Sequence, residues 1–228
     1  MGGQFMVAPW LVKAMQRYNN DSFANKDAYT AQVHMPGRVL QSILHWAFQS
    51  LPDEILVGIE VDHNKPHVLE VEQKYLSEQP RFNLFAGQGF QIAEAKVVNR
   101  GDSYSVHHLP EEWTDEIFGA ERGPRAGRFT HWLHTHPNCV AIPSGADADA
   151  AQSTDGIDMI LGIGFTPEGF NPWFEDVEGQ RRILDGKKEV ILGMAPTGHA
   201  IHILEMIGFH KSGLGINVIF VDEDGRDY

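Results

Sequence analysis

Two histidines one residue apart, His134 and His136, lie in the segment His131-Trp132-Leu133-His134-Thr135-His136-Pro137, the part of the chain densest in reactive side chains. On a strand, side chains alternate between faces, so two imidazoles at this spacing leave the same side. Neutral imidazoles placed side by side are a common start to a zinc site. Pro137 ends the strand and turns the chain away. Asp147 falls one helical turn after Ser144, where a returning loop can bring its carboxylate back to the two rings. Two histidines and one aspartate leave a fourth tetrahedral position for water, the layout of a catalytic zinc rather than a structural one.

Each half of this pattern has an ordinary reading. A His-x-His pair alone can be two polar residues on a sheet face, and Ser144-x-x-Asp147 alone is a helix-capping pattern. The combination is rarer. At this chain's residue frequencies, His-x-His-Pro-x6-Ser-x-x-Asp arises by chance roughly once in ten thousand such chains. Capping and ligation are also compatible, because a helix N-terminus supports negative charge.

The elements around the cluster follow from periodicity. Apolar residues at Val39, Leu40, Ile43, Leu44, Ala47 and Leu51 recur at three and four, which predicts an amphipathic helix over Pro36–Ser50, with Pro36 in its first turn. Pro52-Asp53 breaks it, and Glu54–Val61 reads as a strand. Further strands are expected at Ala31–Met35, His67–Val71, Phe90–Val98, Ser103–His108, Phe129–His136 and Ile157–Phe165. Lys187–Met194, His199–Met206 and Gly215–Val221 read as strands or a strand–helix mix. Short helices are expected at Pro9–Tyr18, Pro110–Phe118 and from Ser144. Asn19–Lys26 reads as a polar linker and Asn99–Asp102 as a turn. Strands outnumber helices without a regular βαβ rhythm, so the expected class is α+β, a mixed-sheet α/β sandwich. Residues 1–30 are expected to form a helical extension and 31–228 one domain.

Composition narrows the function classes. The 228 residues carry 18 Lys+Arg against 31 Asp+Glu, a net charge of −13 that argues against a general grip on nucleic acid. No apolar run approaches the ~18 residues of a membrane span. The single cysteine, Cys139, and the absence of a basic-then-apolar leader point to a reducing cytoplasm.

The string His134-Thr135-His136-Pro137, with Ser144 and Asp147 downstream, resembles the JAMM motif of the MPN-domain metallopeptidases, a family of deubiquitinating and related isopeptidases. The amphipathic helix followed by Pro52-Asp53-Glu54 and an apolar strand is similar to that family's helix–Glu–strand opening. The resemblance spans about 31–61 and 129–165. It implies an MPN/JAMM-like, cytidine-deaminase-like layered sheet with flanking helices. It also implies one zinc ion on His134, His136 and Asp147 with water as fourth ligand. Glu54 would move the water's proton and Ser144 would donate to the oxyanion, in a zinc metallopeptidase acting on ubiquitin-like conjugates or peptide tails. Glu60 rivals Glu54, since an even separation of six puts both on one strand face; distance from the helix end and from Gly58 favours Glu54. A non-catalytic MPN scaffold and a zinc amidohydrolase on a small substrate are the alternatives.

From Glu54 to His134 the chain runs 80 residues, long for a compact member of that family. The excess is expected in insertions near 73–89 and 110–128, with Pro167–Gly179 a second candidate rim for a substrate tail. His131, an odd number of residues from His134, should face away in a structural or surface role. Adjacent His107 and His108 diverge on a strand and make a poor ligand pair even with Glu111 and Glu112 nearby. Cys139 reads as a small apolar loop residue, Trp132 and Leu133 as core, and Ser212-Gly213-Leu214-Gly215 as a turn.

Overall fold

The structure is a computed structural model describing residues 6–25, 28–29, 31–62, 91–101, 129, 131–154, 156–166, 174–175, 181–182, 191–211, 213 and 215–228. The helices are α1 (Pro9–Ala24), α2 (Gly37–Ser50) and α3 (Gly145–Ala151). The strands are β1 (Ala31–Pro36), β2 (Ile55–Asp62), β3 (Gln91–Arg100), β4 (His131–Pro137), β5 (Ile157–Thr166), β6 (Phe174–Glu175), β7 (Arg181–Arg182), β8 (Gly193–Met194), β9 (Ala200–His210) and β10 (Gly215–Val221). The expected strands at 67–71 and 103–108, the helix at 110–118, the insertions near 73–89 and 110–128, His107, His108 and most of the 167–179 rim lie outside the described residues.

The strands do not stack as a layer. They run β10-β1-β3-β2-β4-β5-β9, and β9 pairs back onto β10, closing a seven-stranded mixed barrel with β8 appended to β9. Pairs β1/β10, β1/β3 and β4/β5 are parallel and the others antiparallel. The expected α/β sandwich with a layered, cytidine-deaminase-like sheet is therefore wrong. Its overturning contact is small: Gly215 opposite Phe209 and Ile216 opposite Gly208. Gly208 lets those strands approach closely, since a Cβ there would stand 3.2 Å from both the Ile216 Cβ and its carbonyl oxygen, a tight contact. An eleven-residue β9 meets β5 along its length and still reaches β10 at its end.

The barrel interior and the apolar stripe of α2 make one core. Leu40 and Ile43 of α2 are fully buried with Ile55, Ile59, Leu133, Ile157 and Leu161 from the inward faces of β2, β4 and β5. Burying one such side chain contributes about 1.5–3 kcal/mol, and α2 thereby holds the strand that follows it. Pro36 closes β1 and caps α2 in extended backbone rather than sitting in the first turn.

Two boundaries depart from the pattern-based reading. α1 continues through the expected linker to Ala24, where the Asn19 side chain and the Ser22 carbonyl bond to β10. Asn19 accepts the Phe220 N–H at 2.9 Å and donates to the Phe220 carbonyl at 2.8 Å, and Asn217 donates to the Ser22 carbonyl at 3.1 Å. The turn expected at 99–102 does not start at Asn99, since Asn99 and Arg100 are strand residues that pair with Leu56 and Ile55.

Candidate metal centre

Strand β4 lies between β2 and β5, antiparallel to the first and parallel to the second. Its inward residue Leu133 joins the core, while Trp132, His134 and His136 face outward with Leu56 of β2. Leu56 pairs with His134 at the last rung of the ladder, and Glu54, buried, immediately precedes β2 two residues before Leu56. Thr135 is fully buried and its Oγ1 accepts the Ile55 N–H at 3.1 Å, tying the two strands together beyond their ladder. Glu60 lies six residues further along, about 20 Å away at strand rise, opposite Glu94 of β3. Gly58, between them, leaves room for the Phe129 ring, to which a Cβ would come within 2.5 Å.

The chain returns to the histidines through a turn over β5 and helix α3. Ser144 caps α3: its Oγ accepts the Asp147 N–H at 3.2 Å, and Asp147 Oδ2 accepts the Ser144 N–H at 2.6 Å. This reciprocal capping box fixes the Asp147 carboxylate. Its Oδ1 then stands 3.2 Å from His134 Nε2, and Oδ2 stands 3.7 Å from His136 Nε2. The two Nε2 atoms are 3.0 Å apart. Donors about 2.0–2.1 Å from a tetrahedral zinc are separated by about 3.3 Å, which these spacings bracket. His134, His136 and Asp147 are all buried and form a group that can hold a metal ion. Burial without a counter-ion would leave a carboxylate against two imidazoles out of water, so the donor set suits a divalent cation.

A further contact orients one ring. His136 Nδ1 lies 3.0 Å from the Val140 carbonyl, which can only accept, so Nδ1 carries the hydrogen and Nε2 presents its lone pair to the other donors. This main-chain partner has no residue-type signature. His131 faces the opposite way, and its Nδ1 accepts the Ile157 N–H at 2.9 Å, a structural contact. Trp132 and Leu133 are buried. Cys139 lies half-buried in the turn. At the far end of β9, Gly213 has φ of 81° and donates its N–H to His210, within the expected 212–215 turn.

No helix among the described residues is long and apolar enough to cross a membrane. No protein-family profile and no curated protein matches the chain. Among solved structures it is similar to the solution structure of protein DSY2949 from Desulfitobacterium hafniense, at 15% identity and TM-score 0.40, over 84% of this chain and 94% of that one. That likeness is too loose to carry an argument about fold or activity.

Proposed function

We propose that the chain is a zinc-dependent hydrolase of JAMM type that cleaves isopeptide or peptide bonds at the C-terminus of ubiquitin-like modifiers. The observation that carries the reading is the gathering of His134, His136 and Asp147 into one buried group. Ser144 is bonded to Asp147, and Glu54 is buried next to Ile55, whose N–H is held by Thr135 between the two histidines. The barrel lends no support from fold, so the reading rests on the site.

Zinc held by the three side chains would lower the pKa of a water at its open position and polarise the scissile carbonyl. Glu54 takes the attacking water's proton and returns it to the leaving amine, a contribution of typically 10²–10⁴-fold. Burial of Glu54 keeps that carboxylate out of competition with bulk water. Ser144 accepts the Asp147 N–H with an oxygen lone pair, so its hydroxyl hydrogen is left to donate to the oxyanion, worth about 3 kcal/mol.

The test is metal analysis joined to cleavage of a panel of ubiquitin-like proteins carrying C-terminal fusions. The zinc-loaded chain should release the fusion partner, and Glu54→Ala should keep zinc and lose release. Zinc without cleavage of any panel member would overturn the substrate class. Activity surviving in Glu54→Ala but lost in Glu60→Ala would overturn the proton-transfer assignment.

A further inference from the structure

His136 is paired in register with Gly162 of β5, and the turn that follows β4 passes over that glycine. A Cβ built on Gly162 would stand 2.7 Å from the Ala141 nitrogen, 2.8 Å from the Cys139 oxygen and 3.1 Å from the Val140 carbonyl carbon. All three are backbone atoms, so no side-chain rotation could relieve the clash. Gly162 is not among the glycines with positive φ, so the position needs the missing side chain and not glycine's conformational freedom.

The turn is pinned to β5 on both sides of that contact. Asn138, in the left-handed region at φ of 51°, donates its N–H to the Ile163 carbonyl at 2.7 Å and accepts the Phe165 N–H on Oδ1 at 2.8 Å. The Cys139 N–H returns to the His136 carbonyl at 3.3 Å. Seated this way, the turn delivers the Val140 carbonyl to His136 Nδ1.

We infer that Gly162 is a positioning residue for the metal centre: by carrying no side chain it seats the 138–141 turn on β5, and the turn's Val140 carbonyl holds His136 with Nε2 toward the metal. The inference rests on the metal reading above and adds a residue that touches neither metal nor substrate. Outer partners of metal-bound histidines typically change affinity by about 10–100-fold.

Gly164 supplies a matched control. It lies two residues along the same strand face, and the three atoms nearest a Cβ there all belong to Ile203 of β9, its Cβ first at 2.9 Å, with none from the 138–141 turn. Zinc affinity measured by chelator competition, with the visible spectrum of the cobalt-substituted protein, should show Gly162→Ala weakened about 10–100-fold with altered bands. Gly164→Ala should stay near wild type in both. Independently of whether Gly162→Ala folds, nitrogen-15 NMR of the metal-free wild type reads the His136 tautomer, expected as Nδ1–H. Wild-type zinc affinity in a folded Gly162→Ala, or an Nε2–H tautomer in a wild type that does bind zinc, would overturn the inference alone. A wild type that takes up no zinc would overturn the metal reading and the inference with it.

Discussion

Thr135 accepts the main-chain N–H of Ile55 at 3.1 Å, and so joins the residue between the two histidines to the residue after Glu54. The bond is buried and bridges 80 positions of sequence. It fixes the first residue of β2, next to Glu54, against the middle of the His134–His136 pair.

Thr135→Val keeps the shape and removes the acceptor. It should cost about 1–3 kcal/mol for the stranded Ile55 N–H, whereas Thr135→Ser should recover most of that. Denaturant unfolding of the two variants checks this, and equal stability of Val and wild type would show that the hydroxyl does not hold the strands.

Asp147 has two tasks that substitution can separate. Asp147→Asn keeps an oxygen for the Ser144 N–H but removes the charged donor, so metal affinity should collapse while metal-free stability changes little. Asp147→Ala loses its half of the cap as well and should unfold earlier by about 0.5–2 kcal/mol. Zinc titration alongside thermal melting of metal-free protein distinguishes the two. Zinc binding undiminished in Asp147→Asn would remove Asp147 from the ligand set.

Much of this site was legible because period-two geometry and helix capping are local rules. Their application to His134, His136, Ser144 and Asp147 needs only neighbouring residues. The Val140 carbonyl and the space above Gly162 carried no such signal. A main-chain acceptor is common to every residue type, and a missing side chain matters only when a distant segment crosses it. The same limit explains the fold. The α2 stripe and most strands could be read from pattern, but barrel closure rests on two residue pairs between β9 and β10 that no period announces. Asn19 and Ser22 looked like linker because their partners lie about 200 positions away in sequence on β10.

Ile43 tests the core apart from the site. It is fully buried on α2, and Ile43→Ala should cost about 2–5 kcal/mol through lost burial and a residual cavity. Zinc affinity of the folded protein should be unchanged. A large loss of affinity at temperatures where the variant remains folded would mean that the centre depends on α2 more directly than its strands imply.

His199 is expected to contribute to loss of stability in acid. Its ring stacks on Phe48 at 5.6 Å and meets Phe165 edge-on at 5.3 Å, and burial pushes its pKa below the ordinary value of 6.5. Folding therefore favours the neutral ring. The associated stability is complete above the unfolded value and is lost as pH falls through the lowered folded value. Melting of metal-free wild type and His199→Gln from pH 7.5 down to pH 5 should show a shallower decline in the variant. Parallel declines would assign the acid sensitivity to other groups.

The central claim is that His134, His136 and Asp147 form one metal centre. Its most direct test is zinc per chain, by elemental analysis after dialysis against metal-depleted buffer, in wild type and in His134→Ala/His136→Ala. One zinc per wild-type chain and none in the folded double variant is the expected result. A zinc-free wild type, or equal zinc in both proteins, would contradict it.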